Sequence, residues 1–352
     1  MTDAAGPDPA GPDPAGPDPA VTDPAVDVHA HAMPMPLLEW LAGRSLADVS
    51  AVDRGLVVLD PSVSGIGPGV RLPLAVSQHD VATRLSEMDG AGVSHHAVSL
   101  PPFLFCSTAA DADLVATVVA RGNDELAAYV AAAPGRLVAL GSVPLGWPGA
   151  AAEARRCLDQ LGMVGIAIGS RGAGRDLDDP ACEELWAFLA DRRAFVFLHP
   201  SGVPDAHRLR DFYLSQLAGY PMETALAVAR LIFGGVLDRH DLTLCLAHGG
   251  GCVPSLRGRW DMGWRNKDVA HTTPLEPTRY ADRLYYDTAT FSTPLLARLV
   301  EDVGAGHVLL GTDHPFELGD PTPRATVKAL GLDGPTTRAI EWTTAAHLLH
   351  LR

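Results

Sequence analysis

The sequence is short of basic charge, and of lysine in particular. It carries 42 acidic against 27 basic residues, a net charge of −15, and its only lysines are Lys267 and Lys328. This balance excludes nucleic acid and an anionic membrane surface as partners, because both require a basic face. Long apolar runs are also missing, so no segment is expected to span a bilayer.

Paired cysteines and a secretion signal are missing too. The N-terminus has neither the basic region nor the apolar region of a signal peptide. The cysteines are five in number and form no C-x-x-C pair, which favours buried free thiols: Cys106, Cys157, Cys182, Cys245 and Cys252. These absences predict an enzyme of the reduced cytoplasm.

A low-complexity segment opens the chain. Residues 5–20 repeat Ala-Gly-Pro-Asp-Pro three times, and frequent proline removes backbone donors and blocks helix formation. We predict that residues 1–23 form a disordered tail without a catalytic role. Residues 24–352 are predicted to form one catalytic domain, for which 47% hydrophobic residues supply an ample core.

Short apolar runs alternate with helical patterns along the rest of the chain. Strands that are buried on both faces and joined by helices require a parallel sheet. Eight such runs predict an α/β fold, a distorted (β/α)8 TIM barrel. An open doubly wound sheet is the main alternative, but no G-x-G-x-x-G follows the first run. The runs are Val26–His31, His96–Leu100, Leu137–Val143, Val164–Ile168, Phe195–His199, Leu242–His248, Leu284–Ala289 and Val308–Asp313.

Two additions to the barrel are expected. The brief strand-like runs Gly55–Asp60 and Val70–Ala75 predict a small β insertion after the first strand. The helical patterns Pro323–Leu330 and Pro335–Leu349 predict closing helices at the C-terminal end.

The most informative stretch is Val26–His31, in which apolar residues alternate into two histidines. Side chains on a strand repeat with a period of two, so His29 and His31 point to the same face. Two imidazoles on one face are the beginning of a metal site, although H-x-H alone is a weak motif. Three further runs end in His199, His248 and Asp313, which packing alone explains poorly.

In a parallel barrel, the carboxyl ends of the strands share one rim, where active sites form. The side chains that would converge there as one mononuclear site are His29, His31, His199 and Asp313. Three nitrogens and one oxygen suit a borderline metal, Zn²⁺ first and Mn²⁺ as the alternative. Related barrels with two metals bridge them with a modified lysine after strand four. Here that strand is followed by Gly169-Ser170, so one metal per chain is expected.

His248 lies beside this predicted site and is followed by three glycines. It is either a further ligand or, as we favour, the general acid or base that handles a proton. The glycines lack side chains, so a substrate is expected to approach the backbone closely there.

The segments around these residues carry a family resemblance. They are Val26–His31 with Met33-Pro34, Phe197–Pro200, Ala247–Pro254, Gly258-Arg259 and Gly311–Phe316. Together they resemble the amidohydrolase superfamily, and within it the branch of aminocarboxymuconate semialdehyde decarboxylase and related metal-dependent decarboxylases. The resemblance spans roughly Val26 to the C-terminus, and H-G-G-G-x-x-P with G-T-D-x-P-F is quite specific for that branch.

The resemblance implies a distorted barrel and Zn²⁺ held by the four candidate ligands. It also implies that His248 is the catalytic acid or base, with Asp313 counted among the catalytic residues. Arg259 is implied to bind a substrate carboxylate across a dimer interface, and we expect a homodimer that meets near Gly258–Trp264. Phe316 and Arg71 are further candidate substrate contacts.

Some positions depart from the family pattern. Ser201 replaces a tryptophan after the strand-five His-Pro, and His314 replaces a tyrosine between the last Asp and Pro. The branch has a second carboxylate-binding arginine in the insertion after the first strand. Arg71 lies near that position but out of register, and Ala75 falls at the position when the sequences are compared without gaps. The metal site therefore transfers well, whereas the substrate of the named decarboxylase does not.

These observations predict a metal-dependent, non-oxidative decarboxylase of a small carboxylated aromatic or enoic acid. The alternative is a mononuclear metal hydrolase or hydratase of the same superfamily. The metal site alone does not distinguish this alternative from a decarboxylase. A third interpretation, an inactive barrel that serves as a binding partner, is disfavoured because its ligands would be expected to degenerate.

Overall fold

A computed structural model describes residues 23–351 as a parallel barrel with a small antiparallel sheet beside it. The strands are β1 (Val26–His31), β2 (Ala47–Asp48), β3 (Leu56–Leu59), β4 (Arg71–Pro73), β5 (His95–Ser99), β6 (Leu137–Gly141), β7 (Gly165–Ile168), β8 (Phe195–Leu198), β9 (Thr243–Leu246), β10 (Tyr285–Asp287) and β11 (Val308–Leu309). The α-helices are α1 (Met35–Ala42), α2 (Pro61–Ser64), α3 (Val81–Ala91), α4 (Ala112–Ala131), α5 (Ala150–Asp159), α6 (Glu183–Asp191), α7 (Tyr220–Phe233), α8 (Val236–Arg239), α9 (Val253–Asn266), α10 (Pro277–Ala281), α11 (Thr293–Val303), α12 (Pro323–Lys328), α13 (Gly334–Arg338) and α14 (Thr344–Leu348).

The larger sheet contains all eight runs expected from the sequence. Its order is β1-β5-β6-β7-β8-β9-β10-β11, and neighbouring strands are parallel. Strands such as β1, β7 and β8 are buried along their whole length, as expected for strands with helices outside and a packed interior inside. The prediction of a (β/α)8 barrel is confirmed.

Backbone hydrogen bonds close the barrel between its first and last strands. The N–H of Val28 donates to the carbonyl of Leu310 at 2.9 Å, and the N–H of Asp313 donates to the carbonyl of His29 at 2.9 Å. Closure therefore brings His29 and Asp313, from opposite ends of the chain, side by side at the carboxyl-end rim.

The predicted β insertion is present between β1 and β5. Strands β2, β3 and β4 form an antiparallel sheet in that order. The sequence indicated β3 and β4, but β2 is a two-residue strand and is too short to show a period.

Two helical patterns are more broken than the sequence suggested. The helical pattern over Pro221–Leu237 is divided between α7 and α8, because Gly235 adopts a left-handed φ of 71° between them. The segment Pro335–Leu349 forms α13 and α14 on either side of a π-helical turn, Ala339–Thr343.

The predicted disordered tail lies outside the described residues except for its last member. Asp23 accepts a hydrogen bond from Arg338 at 2.7 Å, and its carbonyl accepts one from Arg324 at 2.6 Å. The chain is thus tied to the barrel surface three residues before β1 begins.

Within residues 23–351, no helix combines the length and the apolar character that crossing a membrane requires.

Candidate active site

Four side chains from three separate places in the chain converge at the carboxyl-end rim of the barrel. Two come from β1, one follows β8, and one follows β11. Each offers one ligand atom, and these atoms all lie within 4.8 Å of one another; the residues are His29, His31, His199 and Asp313. All four residues are buried. This is the set that the sequence indicated, and it has the size and donor types of a single-metal site.

The outer ring nitrogens of two of these histidines are held by hydrogen bonds. The Ser99 hydroxyl lies 3.1 Å from His31 Nδ1, and the carbonyl of Pro200 lies 2.8 Å from His199 Nδ1. A histidine ligand is oriented by the partner of its other nitrogen. These contacts leave the Nε2 atoms of both rings directed toward the centre.

Asp287 orients the third histidine, and the sequence analysis did not single it out. Its Oδ2 lies 2.6 Å from His29 Nδ1, and the same carboxylate accepts backbone N–H bonds from His248 at 3.1 Å and Gly249 at 2.7 Å. The residue lies within the predicted run Leu284–Ala289 and is the last residue of β10, so it belongs to the same rim as the other candidates.

We expect replacement of Asp287 with asparagine to weaken metal binding about 10- to 100-fold, the usual effect of losing a partner of a metal ligand. The asparagine amide is neutral. Its NH₂ group would face a backbone N–H whose hydrogen bond the carboxylate accepts, so two donors would oppose each other. Titration of metal-free protein with Zn²⁺ and Mn²⁺ measures the change. The matched control is Asp302→Asn, whose carboxylate is on the outer helix α11 and pairs with Arg298 at 2.7 Å. Equal affinities for Asp287→Asn and wild type would contradict this role.

Buried polar atoms at the centre lack hydrogen-bond partners among the described residues. They include His29 Nε2, His31 Nε2 and Asp313 Oδ1. Asp313 Oδ1 lies 3.2 Å from His29 Nε2 and 3.3 Å from His31 Nε2. An unpartnered buried polar atom is costly, and a cation among these atoms would satisfy all three. The residues present therefore fit a divalent metal ion.

The charges around the centre also favour a cation. Burial would raise the pKa of Asp313, but the adjacent histidines hold it well below its usual value. Burial lowers the pKa of His31 and lowers that of His199 further. Both rings are therefore neutral and can donate an electron pair to a metal. Burial would lower the pKa of His29 as well, yet Asp313 and Asp287 raise it to about 10. Two carboxylates thus flank one ring in a buried site.

His248 lies at the same centre but outside the four-ligand set. Its ring centroid is 4.9 Å from that of His199 and 5.1 Å from that of His29, and its Nε2 lies 3.5 Å from Asp313 Oδ2. Both His248 (φ 57°) and Asp313 (φ 64°) have left-handed backbone conformations. Residues other than glycine rarely adopt this conformation, and those that do are concentrated at functional sites.

The glycines after His248 serve packing rather than substrate approach. Gly250 has a φ of 77°, and a Cβ there would lie 2.7 Å from the Tyr286 ring. Gly251 has a φ of 57°, and a Cβ there would lie 2.8 Å from the Pro221 Cα. The turn therefore needs glycine because of its backbone conformation and its contacts with β10 and α7, which corrects the expectation from the sequence.

Aromatic side chains form one wall of the site. The Phe316 ring is 5.4 Å from the His31 ring and 6.3 Å from the Phe103 ring. On another side, the Tyr220 ring stands perpendicular to that of His199 at 5.9 Å. Phe316 was a candidate from the sequence, whereas Phe103 and Tyr220 had no motif that could have identified them.

The two candidate arginines lie on exposed surfaces. Arg71 is on the edge strand β4, and Arg259 is on the outer side of α9. In the part of the chain that the structure describes, neither forms a hydrogen bond or an ion pair. His314, left undecided by the sequence, is directed toward the surface, where its Nε2 lies 2.8 Å from Glu87.

The two tryptophans near Arg259 are packed within the chain. Trp260 contacts Phe233 at a ring separation of 6.5 Å, and Trp264 stacks on His271 at 4.1 Å. Both rings are only partly buried.

A closed parallel barrel whose rim gathers histidines and an aspartate around a metal-sized centre defines a metal-dependent barrel enzyme. The family model described as amidohydrolase matches residues 26–351, and the chain belongs to this family.

The relatives place the chain among the decarboxylases of that family. It is 33% identical over 263 residues to 2-amino-3-carboxymuconate-6-semialdehyde decarboxylase of Dictyostelium discoideum, which covers 74% of this chain and 73% of that protein. It is 30% identical over 258 residues to gamma-resorcylate decarboxylase of Rhizobium radiobacter, covering 67% and 76%. The predicted class, a metal-dependent carboxy-lyase, is confirmed over a hydrolase.

A solved structure shares the fold. Dihydroxybenzoic acid decarboxylase from a Polaromonas species, with bound manganese and the inhibitor 2-nitroresorcinol, matches with a TM-score of 0.74 at 23% identity. The match covers 94% of this chain and 98% of that one.

Proposed function

We propose that this protein releases CO₂ without oxidation from a small aromatic or enoic acid, using one divalent metal per chain. The observation that carries the proposal is the geometry at the rim. Four ligand atoms lie within 4.8 Å of one another, and the His248 ring stands beside them, 4.9 Å from the ring of His199.

The residues that would hold the metal are His29, His31, His199 and Asp313. When bound, a divalent ion supplies a positive charge that polarises a substrate oxygen. Zn²⁺ is proposed because three imidazoles and one carboxylate suit a borderline ion. Mn²⁺ is the alternative, and manganese is the ion in the Polaromonas relative.

The chemical step needs a proton donor on the protein. The bond between the carboxylate and its carbon breaks, CO₂ leaves, and the electron pair that remains on the carbon takes a proton. We assign that proton to His248, since its Nδ1 is buried without a hydrogen-bond partner among the described residues. Asp313 Oδ2, 3.5 Å from His248 Nε2, would orient the ring.

The substrate is proposed to lie against the aromatic wall. Phe316 and Phe103 offer flat apolar surfaces next to His31, and such surfaces suit a planar acid. Arg259 and Arg71 are proposed as carboxylate contacts, because their guanidinium groups are exposed and form no ion pair within the described residues.

The direct test is to measure CO₂ release and metal content together. Protein purified without added metal is analysed for its elements, then incubated with a panel of hydroxylated benzoates, benzene dicarboxylates and muconate-type acids. We expect about one divalent ion per chain and one CO₂ for each acid consumed. Acid consumption without CO₂, or two metals per chain, would overturn the proposal.

A homodimer is part of this proposal, with an interface on α7 and α9. These neighbouring helices expose apolar side chains at Met222 (48%), Leu226 (51%) and Met262 (57%), and exposed apolar surface commonly marks an interface. Arg259 lies on α9 among them. A two-fold interface here would let the arginine of one subunit reach the rim of its partner.

Mixing two inactive variants tests whether Arg259 acts across subunits. We expect Arg259→Ala and His248→Ala to be inactive alone. After subunit exchange, half of the dimers are mixed and each holds one intact site, so about one quarter of wild-type activity should return. Sedimentation and an affinity tag on one variant establish that mixed dimers have formed. Mixed dimers without activity would show that the arginine works in its own subunit or not at all.

We also place the enzyme in a reducing compartment, because all five cysteines are free thiols and four of them are buried.

A further inference from the structure

We propose that the hydroxyls of Ser107 and Ser201 form a subsite for a second oxygen substituent of the substrate, a ring hydroxyl or a second carboxylate. The inference rests on the proposed function and specifies the substrate that the site selects. Ser201 Oγ and Ser107 Oγ lie 2.7 Å apart. Ser201 is two residues after His199, so its backbone is within about 7 Å of that candidate ligand.

Strand register shows that this pair faces the barrel interior. Phe197 points inward, because its ring contacts that of His29 at 4.9 Å. Ala167 is the parallel partner of Phe197, and in-register neighbours on parallel strands share a face. Two residues further along, Gly169 faces inward like His199.

The serine hydroxyls occupy the space in front of Gly169. A Cβ at this position would overlap Ser201 Oγ and would lie 2.9 Å from Ser107 Oγ. At the carboxyl end of β7, two serine hydroxyls therefore occupy the place of a side chain, next to the strand that His199 follows.

One hydroxyl proton of the pair is free for a ligand. Each serine carries one donor, and the bond between the two oxygens uses one of the two protons. Both residues are only half-buried, so the remaining proton faces space that a substrate can enter. It would be donated to an oxygen acceptor, since an apolar ring edge offers it no partner.

A buried network fixes the subsite from behind. The N–H of Ser201 donates to Ser170 Oγ at 3.3 Å, and the Ser170 hydroxyl donates to the carboxylate of Glu223 at 3.1 Å. Glu223 is 3% exposed and belongs to α7. The backbone of Ser201 is thereby held in place, as selective recognition requires.

Matched acids reveal whether the pair reads a second oxygen. The pairs are 2-hydroxybenzoate with benzoate, and benzene-1,3-dicarboxylate with 3-methylbenzoate. Affinities are measured by calorimetry on metal-loaded protein that carries His248→Asn, so that no acid is consumed. In this background, Ser201→Ala and Ser107→Ala should each weaken binding of the acid with the additional oxygen about 3- to 10-fold. Binding of its partner should stay unchanged.

The matched control is Ser215→Ala, because the Ser215 hydroxyl on the same β8–α7 segment donates to the Leu209 carbonyl at 3.1 Å. This variant should change neither affinity. Equal losses for both members of a pair, or no loss, would overturn the subsite and leave the proposed function standing. If none of the four acids binds before the serines are changed, the aromatic part of the proposed substrate class fails, and the subsite fails with it. The dicarboxylate and hydroxy pairs separately show which oxygen substituent is read.

Discussion

Replacing His248 with asparagine should lower turnover about 10²- to 10⁴-fold, the usual range for loss of one general acid or base. Metal content should stay close to that of wild type, because His248 lies outside the four atoms that form the ligand set. Asparagine keeps a polar side chain of moderate size but carries no transferable proton near neutral pH. Initial rates of CO₂ release and elemental analysis of the same preparation measure the two effects.

The exposed histidine His347 on α14 supplies the control, since His347→Asn should affect neither quantity. An empty metal site in His248→Asn would mean that His248 is a ligand, and the role assigned to it would then be wrong. A variant that keeps both its metal and full turnover would show that the proton comes from elsewhere.

Replacing His199 with alanine should empty the metal site and abolish CO₂ release. The variant loses one of three nitrogen donors, a ring that the Pro200 carbonyl orients through Nδ1. A ligand that binds only the folded state raises the melting temperature. Added Zn²⁺ or Mn²⁺ should therefore stabilise wild-type protein from which the metal has been removed, and should leave His199→Ala unchanged.

Thermal unfolding with and without each metal gives this result independently of activity. His240→Ala is the matched variant, because His240 precedes the amino end of β9, at the end of the barrel opposite the rim, and contacts Glu183 at 2.8 Å. Wild-type turnover that survives complete chelation, or a stoichiometric metal in His199→Ala, would contradict the assignment of the ligands.

The barrel and its ligand set could be predicted from the sequence because both depend on local patterns. Strand alternation places His29 and His31 on one face, and burial on both faces requires a parallel sheet covered by helices. Once a parallel barrel is predicted, residues at the carboxyl ends of its strands must meet at one rim. His199 and Asp313 follow from that rule without any knowledge of their distances.

Tertiary structure alone decided how those side chains are oriented and what surrounds them. The contact of His29 with Asp287 joins residues 258 positions apart, and no local period reports such a pairing. The same is true of the Ser107–Ser201 pair, which joins two loops, and of the Tyr220 ring, which the first turn of α7 places beside His199.

The sequence by itself therefore determined the fold class, the rim and the residue types available for a metal. The structure decided which nitrogen of each histidine faces the centre, how close His248 stands to the candidate ligands, and that the glycines after it form a tight turn. The physical reason is the range of the interactions. Periodicity and burial act over a few residues, whereas ring orientation and close packing depend on contacts between segments that only the closed barrel brings together.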